Sequence, residues 1–430
     1  MNEDFLQYIW RFQKFTDYAL RTVSGEELTV AAPGVQNFDA GPDFLNARLR
    51  IGGTEWAGNV EVHIRASDWF RHRHHEDRAY DNVILHVVYT ADKDILSPGG
   101  QTVPTLCIKD LIDYQSWRYY QSWLKNSAFI PCEKLVDAVP DIVKISTVEA
   151  AFSDRLRDKS ALCFDHLNET RGDTEAAFYR MLMRAFGLKV NAMPFEQLSR
   201  ILPFALLRKV WEDLADTEAL FLGQAGFLEE DSLEAEYALD LAKRYAFLKN
   251  KFALEPMPPT AWKLFRLRPQ NFPAVRLAQV AEFYHRHRAV ARKITETEKP
   301  EELFKLFDIA LSGDFWNRHY TLGKAGKPAV KKVGATTRNL ILINAVVPFL
   351  FALGRYGKDE SLLQRAAEIT EMLPPEDNKV VRQFRSLGFR ADNAMDTQGI
   401  LQLKKFGCDA GKCLTCKTGT YTLERYERTR

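Results

Sequence analysis

No run of apolar residues in this chain is long enough to span a bilayer. The longest, over residues 340–353, is interrupted by Asn344 and Pro348. No signal-peptide pattern opens the chain, whose first residues, MNEDFLQ, are acidic and polar. A cytoplasmic location without a membrane partner is the expectation that follows. Net charge is nearly absent: 59 Lys and Arg against 57 Asp and Glu leave +2. That excludes a protein that binds nucleic acid by overall basicity. No internal repeat is evident. Cysteine is sparse, with six residues, and in a cytosolic setting disulfides are not expected. Histidine is also sparse, yet five of the nine fall between His63 and His86. Apolar and aromatic residues are plentiful, at 46% and 12%. They can bury large cores, and 430 residues suffice for two or three domains.

The histidine-bearing stretch, residues 37–89, is the most informative. Gly41-Pro42 is turn chemistry, and Asp43 leaves the turn. Residues 44–51 alternate apolar and polar, the period of a half-buried strand. Gly52-Gly53 makes a hairpin turn into a second strand over 54–64, where Gly58 is expected to mark a bulge. Ser67 is placed to cap a helix over 68–80. Residues 82–89, NVILHVVY, form an apolar run suited to a strand buried on both faces. An aromatic-rich helix over 4–18 precedes all of this.

Glu61 and His63 are two apart on one strand, so they share a face. Asp43, at the start of the neighbouring strand, is placed beside them. Two converging carboxylates need a cation or a proton. A hard, oxygen-ligated ion such as Mg²⁺ or Mn²⁺ meets that need. His63 would then sit close enough to assist a bound water.

Pro42-Asp43, a gap, and then Glu61-Val62-His63 resembles the PD-(D/E)XK nuclease superfamily. In that pattern the Asp and Glu hold the metal, and a lysine stands two residues after the Glu. Here His63 takes the lysine's place; Arg48, Arg50 and Arg65 are the nearby residues that could supply the missing charge. The chain as a whole also resembles a family of uncharacterised bacterial proteins, a domain of unknown function. The resemblance rests on a GPDF turn, an NVEVH strand, a histidine-bearing helix, an NVILHVV strand and C-terminal cysteines. The fold class implied is α+β. A PD-(D/E)XK-like α/β domain with a mixed sheet over 1–130 is followed by a mostly helical part, in stretches 131–255 and 256–430.

A second tier of site residues comprises Asp39, His72, His75 and His86. On a continuous helix His72 and His75 are i, i+3 neighbours, while His74 faces elsewhere. With His63 and His86 they could hold zinc. A solvated, mixed-charge helix face is the plainer reading of RHRHHEDR, and a satisfied core histidine that of His86.

Past residue 141 the periodicity is helical throughout. Two basic tracts stand out there. Arg266, Arg268 and Arg276 lie in a segment with eight Lys and Arg and one acid, Glu282. Lys324, Lys327, Lys331 and Lys332 lie in a glycine-punctuated loop. Both could contact phosphates, and nucleic acid is the partner they suggest. The last three cysteines, Cys408, Cys413 and Cys416, form C-x4-C-x2-C. Cys132 is the fourth ligand expected, for Zn²⁺ or a [4Fe–4S] cluster. Three functions compete. One is metal-dependent phosphodiester hydrolysis through Asp43, Glu61 and His63. The second is a non-catalytic nucleic-acid- or protein-binding module with a degenerate site. The third is a zinc hydrolase built on the His63–His86 cluster.

Overall fold

The computed structural model describes residues 1–430 except Tyr18, Asp39, 229–232, Lys324 and Arg430. The fold is α+β, with a mixed six-stranded sheet in the N-terminal region and a mostly helical remainder. Two compact units divide the chain. The first comprises Met1–Val148, Asn378–Arg390 and Ile400–Arg430; the second comprises Glu149–Asp377 and Ala391–Gly399. These units differ from stretches cut at 130 and 255, because C-terminal segments return to the first unit.

In the first unit, helix α1 (Glu3–Phe12) is capped by Asn2, whose side chain accepts from the Phe5 N–H. Its apolar face, Phe5, Leu6, Ile9 and Trp10, is fully buried. It ends at Phe12, short of the expected 18, because Gln13 turns left-handed at φ 51°. Six strands follow: β1 (Leu28–Ala32), β2 (Val35–Gln36), β3 (Phe44–Ile51), β4 (Thr54–Arg65), β5 (Val83–Thr90) and β6 (Thr105–Cys107). The sheet order is β1-β3-β4-β5-β6, with β2 also on β3. β1/β3 and β3/β4 are antiparallel; β4/β5 and β5/β6 are parallel.

The β3/β4 hairpin sits where alternation and Gly52-Gly53 place it. Its register shift lies between Phe44 and Ala47, at Asn46 with φ 58°, and not at Gly58. Gly58 serves close approach instead: a Cβ there would lie 2.4 Å from Ile84 Cγ2 and 2.7 Å from the Asn82 carbonyl. One face of the sheet packs Val60, Val62, Leu85 and Val87 with the buried face of α1. Val88 joins Trp69, Tyr80 and Val83 in a separate small core.

The C-terminal segment supplies Cys413, Leu414 and Leu423 to the core that contains α1. Tyr426 stacks on Tyr119 at 3.7 Å, and Glu427 pairs with Lys14 at 3.0 Å. Tyr119 belongs to the helix Tyr114–Leu124.

The second unit is helical around a large apolar core. Its helix over Ala335–Gly357 corrects the sequence reading of 340–353. The described helix is 23 residues, by length and composition enough to cross a membrane, and 61% of its most apolar window is buried within the protein. The helix Thr174–Phe186 ends at Gly187, whose φ is −67°, and the next helix starts directly after it. A Cβ there would lie 2.4 Å from the Asn191 carbonyl.

Candidate metal centre

Asp43 and Glu61 are clasped reciprocally. The Asp43 N–H donates to Glu61 Oε2 at 3.0 Å, and the Val62 N–H donates to Asp43 Oδ2 at 3.0 Å. The turn that delivers Asp43 passes through Gly41 at φ 106°. The Asn37 amide bonds the Pro42 carbonyl at 3.0 Å to hold it. Asp43 is also bonded by the Gln7 side chain of α1. Burial, and then the Glu61 charge, push the Asp43 carboxyl up to about 7. Burial pushes Glu61 up to about 8, against the Asp43 hydrogen bond that lowers it.

The histidines meet Glu61 from the other side. His63 Nδ1 lies 2.8 Å from His86 Nε2, and His63 Nε2 lies 3.1 Å from His72 Nδ1. Glu61 Oε1 is 3.5 Å from His63 Nε2 and 3.3 Å from His74 Nε2. One ring nitrogen from each of His63, His72 and His74 lies within 4.8 Å of the others. His63 and His86 are buried. Burial, with the other imidazoles adding to it, holds His63 down to about 2 and His86 down to about 3. Burial also lowers His74. All three are therefore neutral near pH 7, the state in which a ring nitrogen offers a lone pair to a metal.

The expected helix over 68–80 is the main correction. Helix α2 (Asp68–Arg71) is one turn long, and Arg73 is left-handed at φ 61°. A short 3-10 turn, His74–Glu76, follows. The break turns His74 inward, where it stacks on Tyr80 at 3.9 Å. His75 leaves the cluster, pairing with Glu76 at 3.4 Å and packing on Phe70. The i, i+3 argument for His75 fails because no continuous helix carries it.

The chain belongs to the DUF2851 family. The family model, described as a protein of unknown function, matches residues 3–379. That range contains the Asp43–His86 site and Cys132 and ends before Cys408. Comparison with curated proteins and with solved structures gives no match.

Two groups of this DUF2851 site were not singled out in the sequence. Glu3 and Gln7, four apart on one face of α1, both reach it; Glu3 is bonded by the Ile64 N–H and raised by burial. Arg71 Nη2 lies 3.5 Å from His72 Nε2 and 3.1 Å from Asp68 Oδ1. Arg71 is thus the cation beside the cluster. Arg50 instead pairs with Glu55 at 2.8 Å, where the register joins the hairpin ends, and Arg48 and Arg65 are exposed.

Asp39 and Lys324 lie outside the described residues. Of the basic residues, Arg266, Arg268, Lys327 and Lys332 are exposed in the second unit. Arg276 and Lys331 are corrections, each only 3% exposed. Arg276 donates to Gln279, Asn271 and Thr337. Lys331 donates to the Asn317 and Ala329 carbonyls and lies over the Tyr320 ring. Neither is free to meet a phosphate. Cys107 and Cys163 stand apart on β6 and in the helix Asp141–Glu169, and all six cysteines are unpaired.

Proposed function

We propose that this protein is a metal-dependent hydrolase that cleaves phosphodiester bonds of nucleic acid. The observation that carries the reading is the juxtaposition of the clasped Asp43–Glu61 pair with the His63, His72 and His74 nitrogens. Burial raises both carboxyls and lowers His63, His74 and His86, so neutral imidazoles stand beside two carboxyls in one cluster. The donor set mixes oxygen with imidazole nitrogen, which suits Mn²⁺ or Zn²⁺ better than Mg²⁺. Such an ion supplies Lewis acidity and an acidified water.

The protein's own groups have separable parts. Glu61, His63, His72 and His74 hold the ion. His86 orients His63 through the 2.8 Å bond, as an outer partner of a metal-bound imidazole does. This gives His63 a ligand's part in place of that of a base. With both nitrogens engaged and a strongly lowered pKa, it is a poor proton acceptor near neutrality. Asp43, raised toward 7, is the group matched to moving a proton there. Arg71, 68% exposed at its side chain and 3.5 Å from His72 Nε2, would supply the positive charge for a phosphate. The nucleic-acid substrate rests on the resemblance of the Pro42-Asp43…Glu61-Val62-His63 arrangement to nucleases. The three imidazoles favour a second reading, a zinc hydrolase of another ester.

The test uses full-length protein stripped by chelator and re-supplied with Mg²⁺, Mn²⁺ or Zn²⁺. Substrates are single-stranded DNA, duplex DNA and RNA, with a phosphodiester and a carboxyl-ester chromogen alongside. Cleavage with Mn²⁺ or Zn²⁺ should fall by roughly 100-fold or more in Asp43→Asn and in His74→Ala. Ester cleavage alone would replace this reading with the zinc-hydrolase one. Nucleic-acid binding that survives both changes without cleavage would replace it with a non-catalytic module.

A further inference from the structure

We propose that Cys132, Cys408, Cys413 and Cys416 form a second, tetrathiolate metal centre that fastens the C-terminal segment to the N-terminal unit. This site is independent of the carboxylate–histidine cluster. Four of the chain's six cysteines take part, from two segments nearly 280 residues apart in sequence that belong to one compact unit.

The local backbone explains how they meet. The π-helical turn Leu403–Cys408 ends at Cys408, and Gly411, left-handed at φ 68°, donates its N–H to the Cys408 carbonyl at 3.2 Å. The chain thereby doubles back toward Cys413. The Cys416 N–H bonds the Cys413 carbonyl at 3.3 Å, and the helix Lys417–Arg428 starts directly after it. The Thr418 and Gly419 backbone at that helix start lies beside the Cys416 sulfur, and the Thr418 N–H donates to Thr147 Oγ1 at 3.1 Å. Gly419 has to be glycine, since a Cβ would lie 2.1 Å from the Cys413 carbonyl.

The upstream ligand is brought in by a separate turn. The Glu133 N–H bonds the Ile130 carbonyl at 3.1 Å, and Leu135 N–H bonds that of Cys132 at 2.9 Å. Lys404 lies 4.8 Å from the Phe129 ring centroid, and Tyr120 Oη donates to the Gly411 carbonyl at 3.0 Å. Both contacts join the cysteine loop to the segment before Cys132. The four thiols are close enough for mutual repulsion between their ionised forms: Cys408 feels Cys416, Cys132 and Cys413, and Cys413 feels Cys132 and Cys416. Four cysteines gathered from two distant segments are what zinc and iron–sulfur centres both draw on.

The experiment is elemental analysis, visible absorption and X-ray absorption on the full chain purified without oxygen. The His63→Ala/His74→Ala variant is measured beside it, so that metal at the other site is subtracted. The expected result is about one zinc per chain, or iron with a broad absorbance near roughly 400 nm. The metal's X-ray absorption should show an all-sulfur shell, and the metal should be lost in Cys413→Ser and in Cys132→Ser but kept in Cys163→Ser. Zinc and iron–sulfur are the two arms that identify the ion. If the cysteine variants fail to fold, the all-sulfur shell of the folded histidine variant still decides the matter. Metal-free protein that takes up neither zinc nor iron on reconstitution, or a shell containing nitrogen or oxygen, would overturn the proposal.

Discussion

Replacing Glu61 with glutamine should make the metal-free protein more stable. Glu61 is 5% exposed, and burial raises its carboxyl from 4.5 to about 8. A group whose folded pKa is raised stabilises the fold below its unfolded pKa and loses that stabilisation as pH rises through the folded value. At pH 7 the unfolded chain ionises this carboxyl while the folded chain mostly keeps it protonated. The difference, about 2.5 pH units at about 1.4 kcal/mol each, costs the fold on the order of 3 kcal/mol. Above pH 8 the cost levels off at about 5 kcal/mol, and near pH 4 it vanishes. Glutamine keeps the oxygen that accepts from the Asp43 N–H and can turn its amide toward His74. The variant should therefore melt roughly 6–12 °C higher at pH 7 in chelator, at about 2–4 °C per kcal/mol for a unit of this size. Adding Mn²⁺ or Zn²⁺ should reverse the order. At about 100 times the dissociation constant the ion stabilises wild type by about 2.7 kcal/mol, and the variant has lost a ligand. Calorimetry from pH 5 to 9, with and without metal, measures both effects. Equal melting in chelator across that range, or equal stabilisation by metal, would refute the reasoning.

Gly58→Ala should destabilise the first unit by about 1–3 kcal/mol, because its Cβ meets Ile84 and the Asn82 carbonyl; denaturant melts followed by near-UV dichroism check this. Arg276→Ala should cost about 1–3 kcal/mol of stability, since it leaves the buried Gln279 amide and the half-buried Asn271 and Thr337 without their donor. The same change should leave the salt dependence of any nucleic-acid binding unaltered, whereas Lys332→Ala should reduce its slope. Glu218, buried and raised to about 7 despite bonds from Trp316 and Tyr237, makes the second unit's stability fall as pH rises through 7. Glu218→Gln should match wild type near pH 4.5 and exceed it by about 3 kcal/mol at pH 8.5, read as the difference between paired urea melts.

The β3/β4 hairpin and β5 were legible because they rest on local signals: period-two alternation, Gly52-Gly53, and an uninterrupted apolar run. β1 and β2 carried no such pattern and went unread. The pairing of Glu61 with His63 was legible for the same reason as the hairpin, since side chains two apart on a strand share a face. Choosing among His72, His74 and His75 was not. It turned on one residue, Arg73, entering the left-handed region and stopping a helix that Ser67 and the polar run both suggest. The basic tracts failed in another way. Arg276 and Lys331 look exposed by composition, yet carbonyls, amides and a hydroxyl of the protein engage them.

By itself the sequence determined the fold class, the strand pair that carries Asp43 and Glu61, and the short list of donors. Each of these depends on interactions between residues close in the chain. Only the tertiary structure decided that His74 and not His75 faces Glu61, and that Glu3 and Gln7 arrive from α1. It also brought residues 400–430 back beside Cys132 in the first unit. Those outcomes depend on contacts between distant segments, whose free energy comes from burying shared apolar surface and is written in no local pattern.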